Sequence, residues 1–142
     1  MWLHPQSVHF PIAALAFGAL AYGIAALRGD SFYLKAADKL LLAALIFLAL
    51  AILTGRSAQG SAEVSGLAEA WLSRHELIAY ASIWAFALLY VWRYLRPRAA
   101  GRELWLFAAV YLLATALTLF GAHLGGRMVY EAGVGVSCPP TP

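Results

Sequence analysis

The sequence predicts an all-α integral membrane protein, a four-helix transmembrane bundle with both termini outside. Three observations predict it. The 142 residues are 63% hydrophobic, and only 12% are charged, where soluble domains carry about 25%. Four apolar runs are long enough to cross hydrocarbon, which takes about 20 residues each. No run alternates apolar with polar residues, so the strands of a membrane barrel are not expected.

The elements follow in order within a single domain, 1–142. The first span covers about 10–27 and opens with Pro11, which is tolerated in a first helical turn because its missing N–H would be unpaired there. It lacks a basic leader and a small-x-small cleavage site, so it is expected to stay as a membrane helix. The second span covers about 38–54, "DKLLLAALIFLALAILT", with Gly55 as its stop. The third covers about 76–95 and ends before Pro97. The fourth covers about 104–125. Residues 55–75 form an outer loop, long for a helix–helix connection. Within it "SGLAEAWLSRHE" predicts a short interfacial helix anchored by Trp71.

Orientation follows from Lys and Arg. The connection after the first span holds Arg28, Lys35 and Lys39, and that after the third holds Arg93, Arg96, Arg98 and Arg102. The opposite side has only Arg56, Arg74 and Arg127. The positive-inside rule therefore puts both termini and the 55–75 loop outside, in a multi-pass protein of a bacterial inner membrane. The net charge of +3 reflects these short loops and is no nucleic-acid signal. The lone Cys138 excludes an internal disulfide, and without C-x-x-C-H there is no covalent c-type haem.

Four histidines stand out: His4, His9, His75 and His123. On this topology His4 and His9 precede span one, His75 opens span three and His123 closes span four, so all four fall at the outer edge. Helical spacing puts small residues on the same faces: Ala13 and Ala16 beside His9, Ala79 and Ser82 beside His75, Ala116 and Gly126 beside His123. That leaves room for a flat group between helices. The plain alternative is that interfacial histidines bond headgroups and water, and that the alanines serve packing. Gly121-x-x-x-Gly125 points away from His123 and is read as packing alone.

Haem b is the leading chemistry, because two axial imidazoles from facing helices hold the iron. Trp2, Phe10, Trp71, Tyr80 and Phe120 could wall the ring, though an interfacial aromatic belt predicts the same residues. Zinc or copper is the alternative, with three or four imidazoles and Glu76 as donors. "His75-Glu76" lacks the second histidine of H-E-x-x-H, so a zinc protease is not expected. No serine or cysteine sits in a nucleophile context. The span middles hold only Ser82, Thr115, Thr118 and some tyrosines, which gives a transport path little support.

The stretches "HPQSVHFPIA", "LTGRSAQGSAEVSGLAEAWLSRHE" and "GAHLGGRMVYEAGVGV" resemble a bacterial family of small four-helix membrane proteins, domain-of-unknown-function family 2231. His4, Pro5, Val8, His9, Phe10 and Pro11 match the opening motif. His75 and Glu76 match the start of the third span, and Gly125, Gly126, Val129, Tyr130, Gly133, Val134, Gly135 and Val136 match the close. Arg127 and Ala132 depart from the pattern, where relatives carry an acid and a histidine. The resemblance implies the fold and an association with cytochromes and other redox partners.

The expectation is a b-type haem near the periplasmic face in an electron carrier rather than a stand-alone enzyme. The axial ligands are expected to be His75 and His123, with His9 as substitute for either. His4 would hydrogen-bond a propionate or a ligand imidazole, and Arg74 and Arg127 would pair with propionates. Expected partners are the bilayer, a quinone or other membrane redox partner, and a periplasmic cytochrome. A non-redox metal-binding or assembly subunit of a larger complex is the competing class, and the oligomeric state stays open.

Overall fold

A computed structural model describes residues 3–59 and 66–136. A short helix, α1 (Leu3–Ser7), leads into four long ones: α2 (His9–Arg28), α3 (Ser31–Gln59), α4 (Leu67–Leu95) and α5 (Gly101–Tyr130). All four are long and apolar enough to cross a membrane. They form an antiparallel ring in which α2 packs on α3 and α5, and α4 on α3 and α5. At 29 residues, α3 is about 43 Å long at ~1.5 Å per residue. It overhangs a hydrocarbon core of about 30 Å.

The 55–75 interval is helical at both ends. α3 continues through Gly55 to Gln59, and the expected interfacial helix is the first two turns of a continuous α4. The turn from α2 to α3 is two residues because each does one task. Gly29 takes φ 66° and donates its N–H to the Ala25 carbonyl, a left-handed stop that glycine adopts without a side-chain penalty. Asp30 then accepts the Phe32 N–H at 2.8 Å, capping the next helix.

α1 and α2 are separated by one residue only. Pro11 has no N–H for the Ser7 carbonyl, but Val8 keeps helical angles, and the Val8 and Ile12 N–H groups bond the His4 and Val8 carbonyls. α1 thus extends the helical line of α2 along the far end of α3, where Ser7 and Thr54 hydroxyls lie 3.0 Å apart.

Lipid inverts the usual pattern of burial. Phe17, Trp84, Leu88 and Leu113 are exposed, because lipid tails are as apolar as the side chains and helix association rests on close packing and hydrogen bonds. The core proper is an aromatic cluster of Tyr22, Phe86, Phe107 and Tyr111 in the half of the bundle away from the histidines. Gly18 faces the Tyr111 hydroxyl so closely that a Cβ would collide with it.

Beneath this cluster lies an ion pair between a buried arginine and a half-buried aspartate. Arg93 donates from Nε to Asp38 Oδ1 at 2.8 Å and from Nη2 to Oδ2 at 3.0 Å. Tyr22 donates its hydroxyl to the same Oδ1 at 2.8 Å, and Arg93 Nη1 donates to the Arg96 carbonyl at 2.8 Å. Arg93 thus belongs to the bundle rather than to a loop, at 6% exposure.

Asp38→Ala leaves the Arg93 charge buried without a counter-ion and should cost about 3–5 kcal/mol of folding stability, read as a lower unfolding midpoint in mixed micelles. The double variant Asp38→Ala/Arg93→Met should lose less than the single one. Tyr111→Phe should be neutral or stabilising in the same assay, since the Tyr111 hydroxyl is buried without a hydrogen-bond partner among the described residues.

Candidate functional site

At the opposite end of the ring, two of the four histidines come together. The rings of His4 and His75 lie with centroids 6.5 Å apart and planes at 81°. α1, which extends the line of α2, carries His4 there, and α4 carries His75 from its third turn.

Each ring is tied through Nδ1. The Nδ1 of His75 lies 2.7 Å from the Gly121 carbonyl oxygen. A carbonyl only accepts, so Nδ1 carries the proton and, in the neutral ring, Nε2 carries the lone pair. His4 Nδ1 lies 3.2 Å from Thr54 Oγ1. The Thr54 hydroxyl spends its one proton on the Leu50 and Ala51 carbonyls, at 3.0 and 3.1 Å. It therefore accepts from His4, whose Nε2 is left with the lone pair in turn. Among the described residues neither Nε2 has a hydrogen-bond partner. A backbone carbonyl holding the far nitrogen is the arrangement found behind metal-ligating histidines.

Glycines let both rings sit this close to backbone. A Cβ on Gly55 would lie 2.9 Å from His4 Cε1, and one on Gly125 would lie 3.2 Å from His75 Cε1. A Cβ on Gly121 would meet Ile78 Cγ2 at 2.7 Å. Gly121 and Gly125 serve close packing, as their spacing predicts, and the groups packed are Ile78 and His75 from the neighbouring helix. Spacing within one helix carries no sign of that. Thr54, and Gly55 that was expected only to stop the second span, are likewise site residues. The polar Thr54 at the end of an apolar run was the available signal.

The other expected site residues lie elsewhere. His9 and His123 are exposed, and among the described residues neither shares a ring contact or hydrogen bond with His75. Arg127 has partners of its own. It bonds Glu131 twice at 2.8 Å and lies 4.3 Å from the centre of the Trp71 ring. That hydrogen bonding holds the Glu131 carboxyl below the usual carboxylate range. Arg74 is exposed, Glu76 half-buried. Arg56, near Thr54 on α3, reaches the Tyr80 hydroxyl at 3.4 Å. Phe10, Tyr80 and Phe120 are exposed. Trp2 and Cys138 lie outside the described residues.

The model of the family described as "Predicted membrane protein (DUF2231)" matches residues 2–138. The chain belongs to this family. No curated protein and no solved structure matches it. The matched region takes in α1 through α5, and so both halves of the histidine pair.

In the neutral form His75 should appear as the Nδ1–H tautomer, which nitrogen chemical shifts from labelled histidine would show. Gly125→Val should push His75 off the Gly121 carbonyl and cost about 1–3 kcal/mol by overpacking, seen as a lower unfolding midpoint together with loss of that tautomer signal.

Proposed function

We propose that this protein is a b-type cytochrome-like electron carrier that holds haem iron between His75 and His4 at the periplasmic face of a bacterial inner membrane. The observation that carries the reading is the facing pair, each ring fixed through Nδ1 and each Nε2 left with a lone pair. With centroids 6.5 Å apart, the nitrogens of the two rings come no closer than about 4 Å, beyond a direct hydrogen bond; an ion between them would need both Nε2 turned inward to make two bonds of about 2.0–2.1 Å. The donor set therefore fits a bis-imidazole iron site.

Ligand count favours haem over zinc. A structural or catalytic zinc takes three or four protein ligands, and among the described residues no three His, Cys, Asp or Glu side chains converge. Haem iron needs only one or two axial ligands from the protein. When bound, the group supplies one-electron redox chemistry. His75 binds and is oriented by the Gly121 carbonyl, while Thr54 orients His4. The role of second ligand, expected for His123, passes to His4 because His123 lies exposed on α5. Arg74 and Arg56 are the guanidinium groups proposed for the propionates, Arg127 being engaged by Glu131 and Trp71.

The orientation rests on charge. With Arg93 neutralised inside the bundle by Asp38, one end still holds Arg28, Lys35, Lys39, Arg96, Arg98 and Arg102, against Arg56, Arg74 and Arg127 at the other. The histidine end is therefore outside. It would exchange electrons there with a quinol or membrane redox partner and a periplasmic cytochrome.

Protein purified with haem supplied should show a Soret band that sharpens on dithionite reduction. His75→Ala and His4→Ala should each abolish haem retention, while His9→Ala and His123→Ala leave it intact. Loss on His123→Ala with retention on His4→Ala would return the ligand pair to His75 and His123. A colourless protein with stoichiometric copper or zinc by elemental analysis would sink the haem reading in favour of a metal-binding or assembly subunit.

A further inference from the structure

The lipid face of α3 carries a pattern that the haem reading neither uses nor needs. Ala37, Leu41 and Ala44 turn into the bundle. On the opposite face Lys35, Lys39, Leu42, Ile46 and Leu50 follow one another at helical spacing, and all of them are exposed. A single stripe thus changes from basic to apolar within one turn. The ion pairs among the described residues join Arg93 to Asp38, Arg96 to Glu103 and Arg127 to Glu131, so neither lysine has a carboxylate partner there. Asp38 lies between them in sequence but is turned to α4, where Arg93 holds both its oxygens. Two like charges one turn apart on a helix repel, and an anion shared between them removes that cost.

The depth of the stripe fits a lipid. At 29 residues, α3 exceeds a hydrocarbon core of about 30 Å by about 13 Å. Shared between the two ends, the overhang puts the boundary near Lys35, about 6 Å from the start of the helix at ~1.5 Å per residue. Lys39 lies one turn deeper. Side chains on a helix lean toward its N-terminus, which at this end of α3 is the water side. A lysine stem is long enough to carry its ammonium back to the boundary. Both ammoniums therefore reach the level of the lipid phosphates. Leu42 to Leu50 cover about 12 Å below them, most of one leaflet.

We propose that the Lys35–Lys39 stripe of α3 binds one phospholipid with a net negative headgroup, its phosphate shared by the two ammoniums and an acyl chain along Leu42, Ile46 and Leu50. Charge selects this occupant. A zwitterionic lipid brings a cation of its own to the same level, and a neutral quinone leaves both ammoniums unmatched. The order of the stripe, cations at the boundary and apolar residues beneath, is the order of headgroup and chain in the lipid. Arg28, Arg98 and Arg102 strengthen the field of this end but lie outside α3.

The test is native mass spectrometry of the full chain in micelles doped in turn with phosphatidylglycerol, phosphatidylethanolamine and phosphatidylcholine. One phosphatidylglycerol per chain should be retained roughly tenfold better than either zwitterionic lipid, since each lysine beside an anionic headgroup adds attraction. Lys35→Gln/Lys39→Gln should erase the preference with helicity unchanged. Arg98→Gln/Arg102→Gln removes the same charge from the same end, off the stripe, and should keep it. Equal loss in the two double variants means diffuse attraction to a basic end and overturns the proposal. Equal retention of the three lipids by the unaltered chain overturns it too. So do dimers that the lysine variant disperses without any lipid preference, which assign the stripe to a second copy of the chain.

Discussion

A polar group inside hydrocarbon has no water to fall back on, so each one placed within this bundle must find its partner in the protein. That demand organises the ring of helices. Asp38 and Arg93 join α3 to α4, and Tyr22 brings α2 onto the same carboxylate. Ser82 and Thr118 join α4 to α5 at 2.9 Å, and Thr115 turns its hydroxyl back to the Tyr111 carbonyl. His75 closes the α4–α5 contact by bonding the Gly121 carbonyl. Among the described residues Tyr111 is the exception, its hydroxyl buried against Gly18 without a partner.

The two ends solve the packing problem differently. The arginine end fills its interior with rings, Tyr22, Phe86, Phe107 and Tyr111, over one ion pair. The histidine end brings backbone close through Gly55, Gly121 and Gly125 and sets two imidazoles against it. A filled, saturated interior suits a structural clamp. Two half-buried rings with orientation fixed and one nitrogen each left over suit ligand binding, because the far-side hydrogen bond holds a ligating ring in place before anything binds.

Much of this was legible in the residues. Four spans follow from apolar length, Pro11 falls in the first turn of α2 as expected, and Pro97 marks a boundary that the structure keeps. The gathering of histidines at one end follows from topology alone. What could not be read was which histidines meet. His75 and His123 sit at matching depth on neighbouring helices, yet His123 is exposed on α5. His4, which precedes the expected first span, reaches His75 because the helical line of α2 runs on through α1. The glycines of α5 carried a packing signal whose object, His75, sits 46 positions away from its carbonyl partner. The role of Arg93 was hidden too, because a basic residue near a helix end reads the same whether it faces water or a half-buried carboxylate.

By itself, then, the sequence determined the class, the number of spans and the end of the bundle where imidazoles collect. These are properties of length and of local spacing, and each is written in neighbouring residues. The tertiary structure decided which rings face each other, which nitrogen of each is tied, and that Asp38 and Arg93 hold the other end. Those depend on how far the helices approach and rotate. That in turn is set by atoms distant in sequence, such as the missing Cβ of Gly125 beneath His75.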